Sequence, residues 1–163
     1  MVGLAREFAD VTIVLNHPGT AVGPRMTDED VLTWRRDLAD LATCPNAYVK
    51  IGGITMPING WGLDGREAGV GSEELLELVW PFCQHAISCF KPHRCMVESN
   101  FPVDKDCVTM RVVYNTFKRA ATRLGLSHAD KVNLFHDTAA RVYGLPLAAK
   151  AAKPTRPQPG SKM

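Results

Sequence analysis

The chain has 163 residues, 45% of them hydrophobic and 22% charged, which is the composition of one globular domain with a real core. That excludes a disordered or collagen-like chain. The formal net charge of +2 is unevenly spread: Lys150, Lys153, Arg156 and Lys162 lie in a tail without acids, which leaves the body at −2 and without a basic footprint for nucleic acid.

No stretch reaches the ~20 apolar residues of a membrane span. Arg6, Glu7 and Asp10 stand where a signal peptide needs an apolar core. The expectation is a cytoplasmic protein with neither nucleic-acid nor membrane partners. The five cysteines (Cys44, Cys83, Cys89, Cys95, Cys107) include no C-x-x-C pair, so they are expected as reduced, mostly buried thiols.

Residues 11–15 (VTIVL) form a β-branched run without polar alternation, which predicts a strand buried on both faces. Asn16-His17-Pro18-Gly19 ends it with turn chemistry. Thr27 then caps a helix whose first turn is acidic and whose apolar stripe is Val31, Trp34, Leu38 and Leu41; Pro45 stops it.

A second strand is predicted over residues 47–51, ending at Gly52-Gly53. The glycine-rich loop 54–71 follows, long enough to be functional or mobile. Ser72 is expected to cap the next helix, with a kink or restart at Pro81. The third strand is residues 95–98, followed by a helix from about residue 106 to 124 that Gly125 closes. Ser127 and Asp137 are expected to cap two short final helices. Two regions result: residues 1–147, and a basic tail from 148 to 163 that its Ala/Lys/Pro composition predicts to be disordered.

Strands alternating with helices predict an α/β fold with a parallel sheet, whose active site lies beyond the C-terminal ends of the strands. No G-x-G-x-x-G follows any strand, so a dinucleotide fingerprint is absent. His17 stands just past the first strand, where an imidazole suits a metal ligand or a general base; a turn-bound histidine is an equal alternative. Asn100 and Asp104 follow the third strand. Asp104 is a candidate ligand or proton acceptor, although its position favours capping the helix that follows. A buried Glu98 calls for a cation, and Lys50 on the neighbouring strand is the candidate. Trp61 reads as a loop anchor ahead of a ligand cover. His85, His93, His128 and His136 share no metal-binding spacing and default to surface or packing roles.

Four segments taken together, VTIVLNHPG (11–19), PNAYVKIGGI (45–54), RCMVESNFPVDK (94–105) and LFHDTAARVYGL (134–145), resemble the amidohydrolase-related proteins. These are metal-dependent hydrolases of the TIM-barrel fold, akin to the 2-pyrone-4,6-dicarboxylate lactonases and the amidohydrolase-type decarboxylases. The resemblance is to the last three strand–helix units, which implies a partial (β/α)8 barrel forming the C-terminal part of a longer enzyme. The His-x-His pair of the family's first strand is absent from this sequence.

By that resemblance His17 matches the active-site histidine after the sixth strand, which binds the metal or activates the carbonyl. Asn100 stands where many relatives carry a metal-ligating aspartate that acts as general base. An amide cannot take that proton. The implied function is hydrolysis of a small lactone, ester or amide, with a divalent zinc or manganese ion as possible cofactor. The isolated chain is expected to be inactive and to self-associate through open sheet edges. The alternatives are a decarboxylase of the same family or a non-catalytic α/β binding module.

Overall fold

The computed structural model describes residues 1–19 and 23–146. The expected tail, 148–163, lies outside the described residues. A short helix α1 (Val2–Glu7) precedes strand β1 (Ile13–Leu15). Then follow helix α2 (Asp28–Ala42), strand β2 (Ala47–Ile51), helix α3 (Ser72–Phe90), strand β3 (Cys95–Val97) and helix α4 (Met110–Arg123). The described chain ends in α5 (His128–Val132), a π turn (Asn133–Asp137) and α6 (Thr138–Val142). The three strands form one parallel sheet in the order β1-β2-β3, with Leu15 opposite Val49 and Ile51 opposite Val97. This is the predicted α/β architecture: an arc of three strand–helix units.

The sheet is less evenly covered than the run VTIVL implies. On β2, Ala47, Val49 and Ile51 are fully buried, while the intervening Tyr48 and Lys50 are half-exposed. In β1 only Ile13 is buried. Helices α2 and α3 lie against β2, and the core joins Leu38, Leu41, Val79, Cys83, Ile87 and Phe90 to the buried strand residues. The opposite face carries Lys50 toward solvent. The segment 128–142 packs on β3, where both Cys95 and Met96 are buried.

Capping decides most helix boundaries. Thr27 and Asp30 form a reciprocal capping box at α2, and Ser127 and Asp130 form another at α5. Expectations are corrected at Ser72, at the helix start near residue 106 and at Asp137. Ser72 is the first residue of α3 rather than its cap; its hydroxyl instead accepts a hydrogen bond from Arg119 Nε at 3.0 Å. Of the two alternatives at Pro81, a kink or a restart, the continuous helix α3 excludes the restart. The helix expected from residue 106 begins at Met110, because Thr109 Oγ1 accepts from the Val112 N–H and residues Val103–Asp106 form a separate 3-10 turn. Likewise Asp137 caps nothing; the helix runs into it through the π turn, and its carboxylate pairs with His136 Nδ1 at 2.7 Å.

The C-terminal end of α2 is satisfied by a distant residue. Arg94 donates to the carbonyl oxygens of Ala42 at 2.8 Å and Cys44 at 2.9 Å, and its guanidinium stacks on Phe90. One side chain thus closes orphan carbonyls of the kind every helix end presents. The expected result of Arg94→Ala is a loss of about 2–3 kcal/mol in denaturant unfolding. Arg94→Lys is expected to recover little of it, because a point charge cannot span two carbonyls.

All five thiols are free, and Cys44, Cys83, Cys95 and Cys107 are buried. Burial pushes the Cys83 thiol from its ordinary 9.0 up to about 12, and Cys95 further in the same direction. A thiol whose pKa is raised on folding contributes stability that is complete below its unfolded value and is lost as pH rises toward its folded value. Stability is therefore expected to fall between about pH 9 and pH 12, measured by urea midpoints at successive pH values. In native protein at lower pH, iodoacetamide should label the half-exposed Cys89 first, read by mass spectrometry.

Candidate active site

His17 leaves the end of β1 with φ 54, in the left-handed region that β-carbon sterics disfavour for any residue but glycine. Such strain persists only where the surroundings impose it. Two contacts do so here. Trp34 on α2 donates its indole N–H to the Pro18 carbonyl at 2.7 Å, which pins the turn. The His17 ring also lies directly over Gly53, where a β-carbon would overlap Nδ1.

The ring meets Glu98. That residue lies one position past β3, and its N–H donates to the Ile51 carbonyl at 3.1 Å, extending the ladder. Its Oε1 is 2.8 Å from His17 Nδ1 and its Oε2 is 3.3 Å from Lys50 Nζ. The pairing of Glu98 with Lys50 expected from the sequence is therefore present, and His17 joins it. The Nδ1–Oε1 approach is close, yet the ring N–H direction lies off the line to the oxygen, and neither atom has another hydrogen-bond partner. The three side chains remain 24% (His17), 21% (Glu98) and 23% (Lys50) exposed, so a small molecule can reach them. Gly52 makes room for Glu98 as Gly53 does for His17: a β-carbon on Gly52 would overlap Glu98 Cγ. Two adjacent glycines at a strand's end were the sequence signal for this close approach.

Asn100 and Asp104 form a second cluster. Asp104 is almost completely buried and caps no helix. Its Oδ2 accepts from the Thr55 hydroxyl and its Oδ1 accepts from Asn100 Nδ2 at 2.8 Å. Asn100, like His17, holds a left-handed φ, of 55. The carboxylate thus ties the loop after β2 to the loop after β3. Among the described residues no hydrogen bond or ion pair joins this cluster to His17. Thr55 and Asn59 were missed in the sequence, since single polar residues in a glycine-rich loop carry no pattern. Asn59 is buried and donates to the carbonyls of Gly53 at 3.1 Å and Ile54 at 2.7 Å. Trp61 donates to the same Ile54 carbonyl at 2.7 Å and packs on Phe82, so it is the expected loop anchor.

No three His, Cys, Asp or Glu side chains gather into a metal cage among the described residues. His17 and Glu98 supply two donors, but the second oxygen of Glu98 already faces the Lys50 ammonium, whose charge opposes a cation. These residues therefore do not by themselves fit a divalent ion. Beneath the site a cavity of about 20 Å³, lined by Gly52, Gly53, Thr55, Glu98 and Asp104 among others, has room for a single water but no substrate. The remaining histidines stand apart: His85 bonds the Arg35 carbonyl at 2.9 Å, and His136 pairs with Asp137. No helix of the described residues is long and apolar enough to cross a membrane.

Comparison with known proteins gives this arrangement a context. The Sinorhizobium fredii (strain NBRC 101917 / NGR234) protein y4mH is 36% identical over 141 residues, which are 86% of this chain and 41% of that protein. An amidohydrolase from Burkholderia multivorans, solved with bound zinc, has a similar structure at TM-score 0.74 and 27% identity, over 89% of this chain and 48% of that one. A Pseudomonas putida protein assigned as a 2-pyrone-4,6-dicarboxylic acid hydrolase shares the fold at TM-score 0.59 and 21% identity, over 90% of this chain and 49% of that one. The chain spans less than half the length of each, and its three parallel strands correspond to part of a TIM barrel. A model of the amidohydrolase family matches residues 1–145, and the chain belongs to that family.

Proposed function

We propose that this chain carries one part of a hydrolase site that cleaves the acyl C–O or C–N bond of a small lactone, ester or amide. The observation that supports it most is His17, held in a strained backbone at the C-terminal end of a parallel strand against Glu98 and Lys50. Barrel enzymes carry their chemistry at that end.

In hydrolysis a water oxygen bonds to the carbonyl carbon, the water gives up a proton, and the leaving oxygen or nitrogen takes one as its bond to carbon breaks. His17 is the group here that can accept the first proton and return it to the leaving atom. Asn100 cannot serve as a base. Its amide suits orientation of the substrate by hydrogen bonds, with Asp104 as the buried residue that positions it. His17 is also the residue of this chain suited to ligate a zinc or manganese ion, through a donor set that the described residues do not complete.

The chain alone is expected to be inactive, because so few reacting groups lie on it. The test is titrimetric assay of lactones, carboxylic esters and amides with the chain alone and with the unmatched portion of y4mH supplied beside it. Turnover is expected only in the mixture, with a loss of about 10²–10⁴-fold in His17→Ala. Absence of turnover in the mixture, or turnover that survives His17→Ala, would overturn the proposal.

A second reading concerns association. The outer edge of β1 has no strand partner among the described residues. A groove of about 860 Å³ beside it is lined by Leu15, Met26, Trp34, Leu38, Leu41 and Ile58, and Leu4, Phe8 and Val11 are exposed nearby in sequence. An open edge next to apolar surface favours pairing with another chain. Sedimentation velocity of the chain alone is expected to give concentration-dependent species larger than 17.9 kDa, and a single monomer peak at all concentrations counts against it.

A further inference from the structure

We infer that Glu98 is a positioning residue that holds the neutral His17 ring with its proton on Nδ1, leaving the lone pair of Nε2 free to accept a proton from water or substrate. The inference rests on the proposal that His17 is the reacting group, but it concerns a property of the unliganded protein.

His17 Nδ1 and Glu98 Oε1 stand 2.8 Å apart. A carboxylate oxygen offers only lone pairs, and a neutral imidazole has one nitrogen with a proton and one without. Were Nδ1 the bare nitrogen, two lone pairs would face each other at hydrogen-bond distance, inside a pocket where neither atom has another partner. Buried polar atoms rarely remain so opposed, because the desolvation lost is not recovered. With the proton on Nδ1, both atoms are satisfied after a small rotation of the ring. Catalytic hydrogen bonds in unliganded sites are often out of line in this way.

Three further features keep the arrangement in place. Lys50 Nζ lies 3.3 Å from the other oxygen of Glu98, which leaves Oε1 turned toward the histidine. Gly52 and Gly53 leave no β-carbon under Glu98 or the ring, so the two side chains sit closer to the backbone of β2 than any other residues would permit. The turn that carries His17 is held at Pro18 by Trp34. A carboxylate that fixes the tautomer and direction of an imidazole leaves the far nitrogen as the working atom. Position 98 thereby supplies a carboxylate two residues before Asn100, where the amide supplies none.

The test is a long-range proton–nitrogen correlation spectrum of the full 163-residue chain, at a pH where the ring is neutral, with the His17 signals identified by their loss in His17→Gln. The expected spectrum has a protonated Nδ1 and a bare Nε2. In Glu98→Ala the population is expected to shift toward the form protonated on Nε2, which imidazole side chains prefer in water. Glu98→Asp is expected to restore part of the original signal. A wild-type ring protonated on Nε2 overturns the inference even if Glu98→Ala does not fold, and so does a Glu98→Ala spectrum identical to wild type. Neither result touches the hydrolysis assay, so the two proposals fail separately.

Discussion

Glu98 ties together the C-terminal ends of all three strands. Its N–H extends the β2–β3 ladder by bonding to the Ile51 carbonyl, one carboxylate oxygen meets Lys50 of β2, and the other meets His17 beyond β1. An anion placed there would be costly if it stood alone, since burial strips water from a charge that only a partner can replace. The pairing with a cation and a histidine removes that cost and in doing so fixes where three side chains point. The rest of the site is arranged to permit it. The strained turn brings His17 to that carboxylate, and the two glycines beneath leave room for both side chains.

A division of labour follows between two clusters of similar residue types. His17, Glu98 and Lys50 keep between a fifth and a quarter of their side-chain surface exposed and face outward from the sheet. Asp104 is buried, with both oxygens occupied by Thr55 and Asn100. The proposed chemistry requires a group that a substrate can reach, which assigns proton transfer in that proposal to the exposed cluster and leaves the buried Asp104 as a brace behind Asn100. The brace sits between the loops after β2 and β3, the two segments whose positions determine where Gly53 and Glu98 lie.

The open face of the sheet belongs to the same account. The helices cover one side of β2 completely, while Tyr48 and Lys50 remain half-exposed on the other. Relatives matched by this chain are more than twice the length of the matched part, and in a barrel that face turns inward. The cavity beside Glu98 is correspondingly too small for a substrate. Around Glu98 the described residues enclose no larger space.

Much of this was legible in the order of residues. Apolar runs bounded by turns marked the three strands, and Thr27 and Ser127 marked their helices, because strand burial and N-capping are local effects written in neighbouring positions. His17 stood out by its place after a strand, and Glu98 by the cost of an unpaired charge. Other features depended on contacts between residues 36 to 52 positions apart. Asp104 looked like a helix cap until Thr109 took that role and Thr55, 49 residues earlier in the chain, claimed its carboxylate. Arg94 closing the end of α2 has no local signature at all, and the pair Gly52-Gly53 signalled a close approach without saying that His17 makes it. The sequence by itself determined the alternation of strands and helices and the candidates for chemistry, since these arise from short-range periodicity and residue type. Only the tertiary structure decided which candidates meet, because distance and direction between side chains are set by the packing of the whole sheet.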